Sequence, residues 1–297
     1  QWCWCWSSSL STKGDFCMRK ILVTGASGFV GARILDQWRG RYELCTFPHG
    51  FSADSDEAAV RALIAREKPD VIVHTAALSN TAYCASHPEE SLRANVLLPE
   101  WIAKAAAETG AKLLAFSSDQ VYAGCKRSGP LPETLSLSPA NVYGCHKLEA
   151  EQRVLAITPG AILLRTAWMY DFPGYRLPIR GNLPLNLLRA AKTGTALHFS
   201  EYDFRGVSYV REVIDKLIPA MELPGGVYNF GSGNDCDMFE TVSRFAQFLG
   251  VDVPLGKDHW ERNLAMSGEK LKDFGIQFDS TIQAFQQCLD DYGFGHF

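Results

Sequence analysis

Tyr143 and Lys147 stand four residues apart in the segment Asn141-Val142-Tyr143-Gly144-Cys145-His146-Lys147, a spacing that puts two side chains on one face of a helix. An ammonium beside a phenol favours the phenolate, so the pair reads as a tyrosine whose pKa is drawn down from about 10 toward working pH. Such a group can give a proton to a carbonyl oxygen or take one from an alcohol. By itself the spacing also describes many solvated helix faces. Its weight comes from Ser117-Ser118-Asp119-Gln120-Val121-Tyr122, which follows the apolar run from Lys112 to Phe116. Those hydroxyls leave at a strand's carboxyl end, where open α/β sheets bind ligands. Ser118 is placed to hydrogen-bond the reacting oxygen beside Tyr143, and a hydroxyl that merely caps the following turn is the competing reading.

Thr24-Gly25-Ala26-Ser27-Gly28-Phe29-Val30-Gly31 lies where a first strand gives way to a first helix. That context makes the glycine pattern a dinucleotide loop. Gly25 permits the tight turn, Gly28 lets the backbone approach a pyrophosphate, and Gly31 allows close packing of helix on strand. Ser27, Phe29 and Val30 bring helix-start N–H groups to the phosphates. An acidic residue at the end of the second strand would hold the ribose hydroxyls of NAD. Here Tyr42-Glu43-Leu44-Cys45-Thr46-Phe47 ends without one, and Glu43 comes too early and is read as solvent-facing. Arg33 and His49 are the cations available for a 2′-phosphate, so NADP(H) is favoured over NAD(H).

The elements that must hold these groups follow a regular beat. Strand-like runs at 20–25, 42–47, 70–77 and 112–118 alternate with helical spacing at 28–38, 56–68, 91–110 and 141–156, and 161–170 reads as a further strand. Strands alternating with long helices imply βαβ units, hence an α/β chain with a Rossmann-like, doubly wound parallel sheet. Beyond residue 170 the beat breaks into proline-containing loops and separate helical stretches at 183–194, 238–250 and 279–293. The predicted division is a leader at 1–17, a nucleotide-binding domain at 18–170, and 171–297 as mainly a smaller substrate lobe. The leader, with its Trp, Cys and Ser cluster, lacks either periodicity and the features of a signal peptide. It is expected to be dispensable; a metal or redox tail built on Cys3, Cys5 and Cys17 is the alternative.

Composition narrows the partner. A 297-residue chain that is 46% hydrophobic can bury a large core, and a net charge of -4 with scattered Lys and Arg disfavours nucleic acid. No apolar run reaches the roughly twenty residues a bilayer span needs. Nine cysteines without paired or finger-like spacing argue against a disulfide framework and a metal site. The expectation is a cytoplasmic protein acting on a small molecule, with a homodimer left open.

Taken in order, TGASGFVG, HTAA, SSDQVY, NVYGCHKLEAE, LLRTAWMY, YNFGSG and RNLAMSGEKLKDFGI resemble the extended short-chain dehydrogenase/reductases, and most closely the dTDP-4-dehydrorhamnose reductase family. The similarity runs from Met18 nearly to the C-terminus. It implies Ser118, Tyr143 and Lys147 as the catalytic set, with Lys147 also binding the nicotinamide ribose. Ala76 and Ala77 match the strand-end backbone beside the cofactor, and Asn95 matches an asparagine on the helix behind it. The implied reaction is hydride transfer from nicotinamide to the C4 ketone of a nucleotide-linked 6-deoxyhexose, with Tyr143 protonating the oxygen. Ala82 and Ala85 replace the acidic pair usual in the rhamnose-forming enzymes, and Gly206-Val207-Ser208-Tyr209 replaces their Gly-x-Pro-Thr stretch. Two other readings stay open: an epimerase or dehydratase of the same superfamily, and a non-catalytic NADP-binding subunit like methionine adenosyltransferase beta.

Overall fold

A computed structural model describes residues 18–294 except 49, 52–54 and 175. The leader, with its three cysteines, and His49 lie outside the described residues. The strands in chain order are β1 (Lys20–Thr24), β2 (Glu43–Thr46), β3 (Val71–His74), β4 (Lys112–Ser118), β5 (Ile162–Thr166), β6 (Trp168–Tyr170), β7 (Leu197–Ser200), β8 (Asp203–Arg205), β9 (Val207–Tyr209), β10 (Gly226–Phe230), β11 (Leu255–Asp258) and β12 (Arg262–Leu264). Six of them form one sheet in the order β10-β5-β4-β3-β1-β2, with every pairing parallel. The chain leaves β1 for β2 on one side and returns for β3 on the other. The crevice at the carboxyl ends of β1 and β3 is therefore the topological switch point where such sheets bind ligands.

Strand alternation divides the core by face. Ile21 and Val23 join Ile34, Trp38, Val213 and Leu217 on one side of the sheet. Leu22 and Ile72 join Val60, Ile64 and Ile102 on the other. Helix Glu57–Glu67 begins where the Asp56 carboxylate accepts from Ala59 N at 2.8 Å. Helix Val142–Ile157 begins likewise, with the Asn141 side chain accepting from Gly144 N at 2.8 Å. That cap, two residues before Tyr143, fixes the start of the helix at Val142, and so the face that Tyr143 and Lys147 share. Gly144 is a contact glycine: a Cβ there would lie 2.3 Å from the Gln120 carbonyl, so only glycine lets this helix approach the turn after β4.

Two expectations change here. The 161–170 segment breaks after Thr166, and β6 pairs with β9 instead of extending β5. The nucleotide domain also does not end at 170. β10 is the sixth strand of its sheet, helix Val210–Ala220 packs on it, and Leu271 and Ile276 add to the same core. The helical period of 210–220 and the short apolar β10 sit among turn signals that resemble a loop-rich lobe, and sequence alone does not say which sheet such pieces join. The second core gathers Tyr170, Leu187, Tyr209, Phe245 and Phe285, with the last two rings stacked at 3.7 Å between centroids. No helix of the described residues is long and apolar enough to cross a membrane.

Candidate active site

A cavity of about 1330 Å3 opens over the switch point. The glycine loop forms one end. Gly25 holds φ +69°, and a Cβ on it would meet Ala76 N at 2.7 Å, so the loop and the strand-end backbone at Ala76 touch directly. A Cβ on Gly31 would lie 2.2 Å from the Gly25 carbonyl. Gly31 is absent from the cavity wall and serves as packing for the loop, whereas Gly25, Ser27, Gly28, Phe29 and Val30 line it. Helix Phe29–Gln37 starts at Gly28 without a side-chain cap, which leaves first-turn N–H groups for an anion. A loop held against the strand-end backbone by glycines, ending on uncapped amides, fits a dinucleotide pyrophosphate.

Ala76 and Ala77 line the adjoining wall. Asn95 does not reach the cavity. It is fully buried in a π-turn, Arg93–Leu97, where its Oδ1 accepts from Leu78 N at 3.1 Å and its Nδ2 donates to Leu78 O at 2.9 Å. It thus clamps the cavity-lining backbone from behind. At the far end of the cofactor groove, Thr46, Phe47, Pro48 and Gly50 form the wall where a ribose-binding acid would stand. Glu43 is exposed and near Lys20, as expected. Arg33 is not available to a phosphate. It is 2% exposed and its Nε donates to Asp171 at 2.6 Å, while Nη1 donates to the carbonyls of Phe29 and Pro178. A helix position facing inward, not outward, accounts for the difference.

Ser118, Tyr143 and Lys147 all line the cavity's middle. Lys147 Nζ donates to the Phe116 carbonyl at 2.8 Å and stands 5.9 Å from the Tyr143 ring centre. Burial pulls the ammonium down to about 8, against the pull of Glu151 and Cys84. The Tyr143 phenol is pushed up, not down: burial dominates, and the Ser118 hydroxyl and Arg180 only partly oppose it. The expected lowering by Lys147 fails because the lysine is itself desolvated and turned to a carbonyl. Tyr143 is therefore a firmly protonated donor in the protein alone. Ser118 Oγ accepts from Gln120 N at 3.2 Å and donates to Asp119 at 3.1 Å, so it caps the following turn and borders the cavity as well.

Sequence reasoning missed three cations that line the same cavity. Arg205 pairs with Asp119 at 2.6 Å, Arg262 grips Asp203 through Nε and Nη2, and Arg180 donates to Ser79 Oγ at 3.0 Å. All three arginines and Trp168 line the cavity. Arg180 sits in an irregular segment, while Arg205 and Arg262 sit in the three-residue strands β8 and β12, too short to show a period. Among the described residues no group of three or more His, Cys, Asp or Glu could hold a metal ion.

A parallel doubly wound sheet, a glycine loop at its switch point and a Ser/Tyr/Lys set at the end of β4 and on the following helix define an extended short-chain dehydrogenase/reductase. The model of the RmlD substrate binding domain family matches residues 18–258, and the chain belongs to that family. It is 29% identical to a dTDP-4-dehydrorhamnose reductase of Aggregatibacter actinomycetemcomitans over 74% of this chain and 75% of that protein. It is 36% identical to methionine adenosyltransferase 2 subunit beta of Xenopus tropicalis over 87% and 83% of the two chains. The solved dTDP-4-dehydrorhamnose reductase of Bacillus anthracis, in complex with NADP, superposes with a TM-score of 0.84. It is 19% identical and covers 94% of this chain and 100% of its own, a likeness of fold.

Proposed function

We propose that this protein is an NADPH-dependent reductase of a nucleotide-linked sugar ketone, of the dTDP-4-dehydrorhamnose reductase kind. The observation that carries it is the convergence of Ser118, Tyr143 and Lys147 on one cavity that the glycine loop and Arg180, Arg205 and Arg262 also line. The bound nicotinamide would supply the hydride. Tyr143 gives its proton to the carbonyl oxygen as charge builds there, and its burial keeps that proton in place until then. Ser118 hydrogen-bonds the same oxygen and orients it. Lys147 holds the nicotinamide ribose and stabilises the phenolate left behind. The arginines that line the same cavity would supply positive charge for a diphosphate. Preference for NADPH rests on the β2 end at Thr46 and Phe47, where no carboxylate repels a 2′-phosphate. The expected compartment is the cytoplasm.

Turnover is tested by NADPH oxidation with a dTDP-linked 4-keto-6-deoxyhexose. Tyr143→Phe should keep NADPH affinity and lower turnover by roughly 10²–10⁴-fold; unchanged turnover sinks the mechanism. A second reading, a non-catalytic NADP-binding subunit, is favoured by the 36% identity to the adenosyltransferase subunit over most of both chains. It wins if no ketone is reduced while a methionine adenosyltransferase copurifies with the chain and changes its kinetics.

A further inference from the structure

Beneath the main cavity is a second space of about 10 Å3, bordered by His74, Ser117, Lys147 and Glu151 along with apolar side chains. A space of that size suits one water if polar groups face it. His74 is 2% exposed, and its neighbours determine where its proton sits. Nδ1 lies 2.7 Å from the Thr24 hydroxyl. That hydroxyl oxygen already accepts from the N–H groups of Thr75 at 3.2 Å and Ala76 at 3.4 Å. With both lone pairs engaged, the hydroxyl donates to Nδ1, and the imidazole carries its own proton on Nε2. Nε2 is buried and has no partner among the described residues. Leaving such a donor unpaired is costly.

The other groups bordering the space supply what a water there needs. Lys147 Nζ spends one proton on the Phe116 carbonyl, which leaves two. Glu151 Oε1 accepts from Ser117 Oγ at 2.5 Å and Arg165 Nε at 3.0 Å, whereas Oε2 accepts, among the described residues, only from Arg165 Nη2 at 2.7 Å. A water oxygen can thus accept from Nε2–H and from the ammonium, and one of its protons can go to Glu151 Oε2. We propose that a single buried water in this space couples His74 to Lys147, which makes His74 a positioning residue for the lysine. The inference rests on the reading of Lys147 as the cation that holds the cofactor ribose.

The coupling requires an imidazole that stays neutral. Burial first, and then the charge of Lys147, pull His74 down to about 3, so it acts as a fixed N–H dipole and not as a proton store. The groups facing Lys147 are Tyr143 and Glu151 from its own helix, His74 from β3, Cys84 from helix Thr81–Ser86, and Arg165 of β5 through Glu151. Of these, the water and Glu151 solvate the ammonium. Without the water the lysine loses a charge-assisted hydrogen bond and sheds its proton at lower pH.

NADPH affinity measured by fluorescence across pH reads this directly. In the wild type, affinity should fall about tenfold as pH rises through the lysine's titration. His74→Leu should move that fall about one pH unit lower, and His74→Gln, which restores an N–H donor, should move it back. Nitrogen NMR of histidine-labelled protein should show Nε2 protonated, with a signal that shifts in Lys147→Met. A high-resolution crystal structure should show water density within hydrogen-bond distance of Nε2 and Nζ. A folded His74→Leu with the wild-type profile, an unprotonated Nε2, or a dry space overturns the proposal. If His74→Leu does not fold, the NMR signal and the density decide. Lys147→Met tests the reading underneath separately: undiminished NADPH affinity and turnover would remove the lysine's role, whatever the water does.

Discussion

Replacing Arg33 by Met removes one partner of an ion pair in which the two side chains are only 2% and 1% exposed. Breaking such a pair from one side typically costs about 3–5 kcal/mol, because the remaining charge stays buried. Asp171 would keep the Tyr292 hydroxyl at 2.8 Å and the Phe172 N–H at 3.0 Å as donors. Arg211 Nε would remain 4.0 Å away, a gross attraction of about 4 kcal/mol at an effective dielectric near 20. Those partners hold the loss to the low end, about 3 kcal/mol, or roughly 6 °C in Tm for a chain of this size. Urea and thermal unfolding of Arg33→Met, Asp171→Leu and the double variant would measure the pair, and the double variant should be less destabilised than the sum of the singles. The same variant decides Arg33's role toward cofactor. Because its donors point at Asp171, Phe29 and Pro178, the ratio of NADPH to NADH affinity should not change. A stability loss below about 1 kcal/mol, or a tenfold loss confined to NADPH, would refute the reasoning.

Gly31→Ala would drive a methyl into the Gly25 carbonyl, so the glycine loop must shift; NADPH affinity by titration should drop at least about tenfold. His74 gives the fold a pH signature. Its folded pKa, about 3, lies below the ordinary 6.5, so the unfolded chain takes up a proton that the folded chain refuses. Its contribution is intact above pH 6.5 and is lost as pH falls toward 3, at about 1.4 kcal/mol per unit once well below 6.5. Urea midpoints of the wild type against His74→Gln between pH 7 and 4.5 should separate by that slope, and parallel curves would contradict it. Finally, fluorescence titration should give tighter NADPH than NADH binding, and a tenfold preference for NADH would exclude the cofactor assignment.

The parts legible in the sequence were those with a period or a fixed spacing. β1, the glycine loop and the first helix follow from a short apolar run, three glycines and a helical repeat, and Tyr143 and Lys147 share a face because a capped helix leaves them no choice. What was not legible depends on distant pairings. Arg33 looks like a surface cation until Asp171, 138 positions away, is seen to bury it. Asn95 occupies a helical register whose inward side is set by a π-turn no pattern announces. The direction of the Tyr143 shift depended on desolvation, a quantity of three-dimensional packing that a Y-x-x-x-K spacing does not contain.

The return of the chain to β10 after it has built part of the second lobe has a consequence for dissection and for motion. A fragment ending near residue 170 would leave β5 as a bare edge with its N–H and C=O groups unpaired, an invitation to self-association. Neither half is a removable module. Because β9 leads straight into helix Val210–Ala220 on the sheet, and Gly231 to Ser232 leads straight out of β10, the chain passes between the two cores more than once. A motion of one core relative to the other would have to bend the chain at more than one of these crossings.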